Sequence, residues 1–205
     1  MALFRVTRAV DPAALIRGGG LYLRPAQCVD YLSWSTLRES CRVFLTPWEP
    51  TWPADDLTRG AFRRRLRRQA DEIARDESFP FLIFLEGSNI LLGGLTIGGI
   101  RRGVAQAATL GYWMGAPHAG KGHMTRAVAV AIAFGFSTLR LHRIEAACIP
   151  DNIASATLLE RNGFQREGFA RAYLCINGDW RDHYLFGLLE SDAARPRAPR
   201  GPHIG

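Results

Sequence analysis

Residues 107–122 read AATLGYWMGAPHAGKG, and this segment indicates the fold more clearly than any other part of the chain. Its first half has the composition of a β-strand, and Gly120-Lys121-Gly122 predicts a tight turn. Beyond the turn, apolar residues recur at helical spacing, namely Met124, Ala127, Val128, Ala131, Ile132, Phe136 and Leu139. A strand, a glycine turn and a helix start gather backbone N–H groups at the positive end of a helix dipole, so the segment predicts a phosphate-binding loop.

Two common phosphate-binding motifs do not fit this turn. The segment from Gly115 to Lys121 has the spacing of a Walker A loop, but Gly122 stands where a serine or threonine should hold Mg²⁺. A Rossmann fingerprint would need a glycine at the position of Thr125. The sequence therefore disfavours both a P-loop NTPase and a dinucleotide-binding domain.

The rest of the chain predicts a single α+β domain. The predicted strands cover residues 21–24, 81–86, 90–100, 107–114, 143–149, 164–167, 173–176 and 184–189. Long helices are predicted at about 26–40, 54–74 and 123–139. A short helix is predicted between Asp151 and Asn152, which are both good N-cap residues, and Gly163, which ends it.

Residues 44–53 differ from their surroundings, because three prolines and two tryptophans predict a stiff aromatic loop there. We expect a loose lead-in at residues 1–20, one domain at 21–190 and a disordered tail at 191–205.

Composition limits the class of protein. A chain of 205 residues with 47% apolar residues can bury one substantial core. The net charge of +7 suits an anionic ligand such as a nucleotide-like cofactor, an acidic substrate or RNA, although an arginine-rich proteome would give the same charge. The four cysteines lack metal-ligand spacing and predict reduced, mostly buried thiols without a metal. Since no signal peptide or membrane-spanning run is present, we expect a cytoplasmic protein with no membrane contact.

Several segments together resemble the GCN5-related N-acetyltransferase (GNAT) family over residues 21–189. Residues 117–122 (PHAGKG) match the glycine half of the family's Q/R-x-x-G-x-G/A motif, although Pro117 departs from its first position. Residues 152–164 (NIASATLLERNGF) resemble the family's N-x-x-S/A…L-x-E-x-x-G-F segment. Residues 44–50 (FLTPWEP) and 178–183 (GDWRDH) are similar to segments of the RimJ branch, the ribosomal-protein alanine N-acetyltransferases.

The resemblance implies the acyl-CoA N-acyltransferase fold, with a mixed, mostly antiparallel twisted sheet flanked by helices. It also implies acetyl-CoA as the acetyl donor, with the Met114 N–H polarising the thioester carbonyl and the Asn152 side chain contacting the pantetheine arm. The full set of expected cofactor-binding residues is Trp113, Met114, Gly115, Gly120, Lys121, Gly122, His123, Met124 and Asn152.

The resemblance leaves the acid–base residues open. Glu145 is the candidate base, acting through water, and the alternative is an ordinary exposed or ion-paired carboxylate. Many family members have, at the position of Leu159, a tyrosine that acts as the general acid. Ser155 is the candidate acid here instead, and Tyr173 and Tyr184 are further options.

Trp48 and Trp52 are expected either to line the acceptor pocket or to cap the core. The arginines of the second helix suggest a weak contact with ribosomal RNA or, more commonly for such a run, a solvated face; they are Arg63, Arg64, Arg65, Arg67 and Arg68.

The predicted function is acetyl transfer to the N-terminal amine of a protein, with alanine of a small-subunit ribosomal protein favoured. Two alternatives stay open at this point. One is acetylation of a small amine, such as a polyamine, an aminoglycoside or an amino acid, on the same fold. The other is a non-catalytic CoA-binding factor associated with the ribosome.

Overall fold

The computed structural model describes residues 15–193, which form one eight-stranded sheet with helices on both faces. The strands are β1 (Ile16–Gly18), β2 (Leu21–Arg24), β3 (Ser78–Leu85), β4 (Leu91–Arg101), β5 (Ala107–Met114), β6 (Arg143–Cys148), β7 (Gln165–Ile176) and β8 (Asp179–Leu189). The helices are α1 (Tyr31–Ser40), α2 (Arg42–Leu45), α3 (Arg59–Ala74), α4 (His123–Ser137), α5 (Ile153–Arg161) and α6 (Glu190–Ala193). The predicted lead-in before residue 15 and the predicted tail after residue 193 lie outside the described residues.

The strand order in the sheet is β1-β2-β3-β4-β5-β6-β8-β7. All neighbouring strands are antiparallel except β5 and β6, which run parallel because α4 connects them as a crossover. The predicted mixed, mostly antiparallel sheet is therefore confirmed. The Asn177-Gly178 turn between β7 and β8 has positive φ at both residues, as a two-residue hairpin requires.

Each face of the sheet carries its own hydrophobic cluster. The larger cluster packs α4 and α5 against one face, and small residues let α4 approach closely: a Cβ on Gly135 would lie 2.8 Å from Ile144 Cδ1. The smaller cluster packs Trp34 of α1 and Phe62 of α3 against Leu82 and other residues on the opposite face. Both clusters rest on the same central strands, so the two helical layers depend on one sheet.

The parallel pair β5–β6 separates part-way along its length. Cα partners extend only from Ala107–Arg143 to Thr109–Glu145, although β5 continues to Met114 and β6 to Cys148. Beyond Thr109 the two strands diverge and leave a gap in the middle of the sheet. The gap opens toward the turn that precedes α4.

Several boundaries differ from the sequence-based expectations. Residues 16–18, predicted as part of a loose lead-in, form β1 against β2. The segment predicted as an irregular loop contains the end of α2 and a 3₁₀ turn at Thr46–Trp48, because Pro47 lies in the first turn, where a missing N–H costs nothing. Helix α3 begins only at Arg59, after the Thr58 hydroxyl accepts a capping bond from the Ala61 N–H.

Three further findings concern the composition-based expectations. Within residues 15–193 no helix is long and apolar enough to cross a bilayer. The same residues hold no cluster of three or more His, Cys, Asp or Glu side chains that could bind a metal. Cys41 and Cys148 are buried as expected, but Cys28 and Cys175 are exposed.

Candidate active site

The glycine turn before α4 is open to solvent. Gly120 and Gly122 have φ values of 72° and 73°, and a Cβ on either would meet nothing within 4 Å. Gly122 is the N-cap of α4 and offers no side chain to bond the N–H groups of the first turn. The N–H groups of the first turn therefore have no side-chain cap at the positive end of a 15-residue helix, a setting that suits a pyrophosphate.

Cationic side chains surround this turn and influence its histidines. Burial, followed by the charge of Lys121, lowers the pKa of His118. Burial also lowers the pKa of His123, with further contributions from Arg126, His118 and Lys121. His123 Nδ1 lies 2.8 Å from a guanidinium nitrogen of Arg126. These shifts favour the neutral form of both histidines, so Lys121 and Arg126 carry the positive charge beside the turn.

The end of β5 presents backbone groups to the gap in the sheet. The Gly115 N–H donates to the Leu92 carbonyl oxygen at 2.8 Å, and Met114 lies opposite Gly93. N–H groups alternate sides in an antiparallel ladder, so the Met114 N–H points away from β4, toward the diverging β6. This direction is the one expected of a carbonyl-polarising group in the gap.

Helix α5 brings Asn152 and Ser155 to the same gap. The Asn152 Oδ1 atom accepts from the Ser155 N–H at 3.0 Å, which confirms Asn152 as a helix N-cap. The Ser155 hydroxyl lies 2.7 Å from the Tyr112 hydroxyl of β5. Leu159 is fully buried in the core and has no acidic group to offer.

A cleft of about 330 Å³ lies on the α1–α3 side of β4 and β5. Its aromatic walls include Trp34, Phe62 and Trp113, and its polar lining includes Arg38 and Glu49. Trp48 and Trp52, which the sequence suggested as wall residues, are not among the residues that line it. Trp48 is exposed, and Trp52 packs against Arg38 behind the cleft. Because Trp113 and Met114 are adjacent on β5, the cleft and the gap share one strand.

Arg38 connects the parts that surround the cleft. Its guanidinium forms two hydrogen bonds to the Glu49 carboxylate, at 2.9 and 2.7 Å, and stacks between the rings of Trp52 and Trp113. The Trp52 indole N–H also donates to Glu49, at 2.7 Å. The Asn177 N–H at the tip of the β7–β8 hairpin donates to the Glu49 carbonyl oxygen at 2.9 Å. Glu49 thereby holds a helix, a loop and a hairpin together.

Glu145, the candidate base, lies in surroundings that disfavour this role. Arg101 and Arg143 bind its carboxylate at 2.6 and 3.0 Å. Burial alone would raise the pKa of Glu145, but the hydrogen bonds from both arginines outweigh it and lower the pKa, which weakens the base. Its strand partner is Thr109, five residues before Met114. At about 3.3 Å per residue, that offset places it about 16 Å from Met114 along the strand.

The arginine cluster of α3 is largely engaged within the protein. Arg64 and Arg65 pair with Asp55 and Asp56, which precede the helix, and Arg68 pairs with Glu72 one turn later. Arg65 also stacks on Trp34 and lines the cleft. These contacts do not support the expected contact with ribosomal RNA.

Comparison with known proteins identifies the family. Residues 21–165 match the family model described as "Acetyltransferase (GNAT) domain". The probable N-acetyltransferase YjcK of Bacillus subtilis is 34% identical over 178 residues, which cover 87% of this chain and 98% of that protein. The ribosomal protein uS5 alanine N-acetyltransferase of Escherichia coli is 36% identical over 151 residues, covering 74% and 78% of the two chains.

A solved structure gives the same result at the level of the fold. RimJ of Mycobacterium smegmatis, in complex with CoA-disulfide, superposes with a TM-score of 0.82 at 31% identity and covers 89% of this chain and 88% of its own. The chain belongs to the GNAT acetyltransferase family and is an N-acetyltransferase. The family resemblance found in the sequence is thereby confirmed.

The structure also adds residues that sequence reasoning missed. Tyr112, Arg38 and Trp34 each contribute to the gap or to the cleft, and none was a candidate. Trp34 and Arg38 are spaced four residues apart, which indicated one face of a helix and could have marked them as a pair. No local signal pointed to Tyr112, because its partner Ser155 is 43 residues away in sequence.

Proposed function

We propose that this protein transfers an acetyl group from acetyl-CoA to the N-terminal amine of a protein, with alanine of a small-subunit ribosomal protein as the favoured acceptor, in the cytoplasm. Acetyl-CoA supplies an activated thioester. The turn at Gly120 and Gly122 and the gap beside Met114 fit such a donor, since both offer open space lined by backbone N–H groups.

Separate groups of this chain would bind, position and polarise acetyl-CoA. Backbone N–H groups of residues 120–124 hold the diphosphate, and Lys121 adds positive charge. Trp113, Met114 and Gly115 position the arm, the Met114 N–H hydrogen-bonds the carbonyl oxygen, and this type of electrostatic positioning is usually the dominant catalytic contribution. Asn152 adds a contact through its amide nitrogen, because its amide oxygen already caps α5.

The charged residues that line the cleft favour a peptide as the acceptor. Among the described residues that line it, Glu49 is the one carboxylate, and Arg38 already binds both of its oxygens. A polyamine or an aminoglycoside carries several positive charges and would find no available carboxylate there. A peptide N-terminus presents one amine, and a volume of about 330 Å³ has room for the first residues of such a peptide.

The amine of such an acceptor needs little help to become neutral. An α-amino group has a pKa near 8, against about 10.4 for lysine, so roughly a tenth of α-amines are neutral at pH 7 but only a few in ten thousand lysines. This difference is consistent with a site in which Glu145 is held by two arginines. We propose Ser155 as the group that hydrogen-bonds the departing sulfur.

The test is thiol release and mass analysis with acetyl-CoA and a panel of acceptors. We expect turnover of a peptide that begins with alanine and none of the same peptide with a blocked α-amine and a free lysine. Spermidine and an aminoglycoside serve as the alternative acceptors. Faster turnover of either, or binding of acetyl-CoA without turnover of any acceptor, would overturn the proposal. In cells, N-terminal mass spectrometry of a deletion strain should show one ribosomal protein losing its acetyl group.

A further inference from the structure

Tyr112 and Cys148 face each other across the gap between β5 and β6. Pairing of these parallel strands ends at Thr109 and Glu145, and each of the two residues lies three positions further along its strand. Because side chains alternate faces along a strand, Tyr112 and Cys148 both point to the α4–α5 face. Cys148 belongs to the larger hydrophobic cluster, and Tyr112 packs against it.

Ser155 of α5 completes this group. Its hydroxyl oxygen lies 2.7 Å from the Tyr112 hydroxyl oxygen, and its backbone N–H is held by Asn152. Burial raises the pKa of the Cys148 thiol, and a hydrogen bond with Ser155 opposes part of this rise. The Ser155 side chain is thus fixed by neighbours on two strands and on its own helix.

The direction of the Tyr112–Ser155 hydrogen bond follows from burial. Burial raises the pKa of the Tyr112 phenol well above its usual value, so the phenol keeps its proton. If Ser155 were the donor, the phenolic hydrogen would be left without an acceptor in apolar surroundings, which is costly. Tyr112 is therefore the donor, and the Ser155 hydrogen is left for the Cys148 sulfur or for a stronger acceptor that enters the gap.

We propose that Tyr112 is a positioning residue, which aims the Ser155 O–H at the sulfur of CoA; this inference rests on the proposed acetyl transfer. As the bond between sulfur and the acetyl carbon breaks, the electron pair stays on sulfur and the Ser155 O–H hydrogen-bonds it. The proton that sulfur finally gains balances the proton that the attacking amine loses. Tyr112 keeps its own proton throughout.

The kinetic test is a double-mutant cycle of Tyr112→Phe and Ser155→Ala. We expect Ser155→Ala to lower kcat about 10- to 100-fold, because it removes a hydrogen bond to a charged atom. We expect Tyr112→Phe to lower kcat about 3- to 10-fold, because the Ser155 hydroxyl loses its alignment. Because Tyr112 acts through Ser155, the double variant should be no slower than Ser155→Ala. Ser155→Thr keeps the hydroxyl, so adding Tyr112→Phe to this variant should again lower kcat. Full additivity of the two losses would overturn the proposal.

A binding test does not depend on the acceptor. Calorimetry should show that Tyr112→Phe weakens CoA binding about 3- to 10-fold near pH 9, where the thiolate forms, and leaves the affinity for desulfo-CoA unchanged. An equal loss for both ligands would indicate a purely structural role and refute the inference. If the wild type acetylates no alanine peptide but shows this difference, the proposed acceptor fails while the role of Tyr112 stands.

Tyr22→Phe is the matched control. It removes a tyrosine hydroxyl that is hydrogen-bonded to Asn89 at 2.9 Å, on a strand away from the gap. We expect it to leave kcat and the affinities for both ligands at wild-type values. Should it reproduce the pattern of Tyr112→Phe, the effect would not come from the Tyr112–Ser155 pair. Thermal denaturation of each variant checks that the fold is kept, and Ser155→Ala alone tests the sulfur contact if Tyr112→Phe is unstable.

Discussion

At the scale of single residues, Gly122 sets the shape of the turn before α4, which we propose holds the diphosphate. Its φ of 73° is a conformation that favours glycine, and its Cβ position faces open space where a phosphate would lie. The sequence predicted this turn well, because both the glycines and the helical periodicity after them are local signals. The same locality explains why the Asn152 cap was predicted correctly.

Replacing Gly122 with glutamate should abolish acetyl-CoA binding. The new carboxylate would lie at the position of the diphosphate, and we expect the affinity to fall by at least about 100-fold. Gly103→Glu is the matched control, since Gly103 also has a positive φ and open surroundings but lies at the opposite end of β5. Calorimetry compares the two variants. Equal affinities would mean that the diphosphate binds elsewhere.

Glu145 shows what a local pattern does not reveal. Its position on β6 was predicted correctly, and Arg143 lies two residues earlier on the same strand, but its pairing with Thr109 depends on the register of a parallel pair and its partner Arg101 belongs to β4. Neither is visible in the sequence. The structure shows the ion-paired carboxylate that the sequence analysis gave as the alternative, and we therefore expect Glu145 not to act as the base.

Glu145→Gln should leave kcat within about twofold of wild type at pH 6 to 8, since we expect no proton transfer to depend on it. Its effect should instead appear in stability. The folded pKa is below the unfolded value of about 4.5, so the ion pairs stabilise the fold above pH 4.5 and this contribution is lost as the pH falls through the folded value. Melting curves from pH 3 to 7 should converge for the two proteins at the acid end. A kcat that collapses at low pH in the variant would restore Glu145 as the base.

At the scale of elements, long periodic segments were predicted and contacts between segments were not. The three central strands and α4 are recognisable because each carries a continuous apolar pattern. Residues 44–53 were misread in part, because Pro47 indicated a loop although it occupies the first turn of a short helix. The cleft walls were missed because Trp34, Phe62 and Trp113 come from three different elements.

Glu49→Gln should loosen the junction of α1, the loop and the hairpin. Arg38 would keep its charge in a buried position with only a neutral partner, and breaking such a pair costs about 3 kcal/mol. For a domain of this size we expect Tm to fall by roughly 6 to 12 °C. Adding Arg38→Met should recover part of the loss by removing the unpaired charge.

Glu39→Gln is the control for this prediction, because it breaks the solvent-exposed pair with Arg42 on the same side of the molecule. It should leave Tm unchanged. Equal Tm values for Glu39→Gln and Glu49→Gln would show that the bonds between Arg38 and Glu49 do not hold the elements together.

At the scale of the whole molecule, the two hydrophobic clusters share their strands. On β3, Phe79, Phe81 and Ile83 belong to the larger cluster and Leu82 and Phe84 to the smaller one. Loss of either helical layer would therefore expose apolar side chains of a sheet that the other layer needs. This arrangement favours cooperative unfolding, although the chain is longer than most two-state domains.

Urea unfolding followed by two probes should test this coupling. Trp34, Trp52 and Trp113 lie on the α1–α3 side, so tryptophan fluorescence follows mainly that layer, whereas far-UV circular dichroism follows the whole fold. We expect the two transitions to coincide. Acetyl-CoA at about 100 times its Kd should then raise the free energy of unfolding by about 2.7 kcal/mol and move both transitions to higher urea. The reason is that binding to the gap between β5 and β6 stabilises the sheet common to both layers. A fluorescence transition that occurs at lower urea and does not move with acetyl-CoA would show instead that the α1–α3 layer unfolds independently.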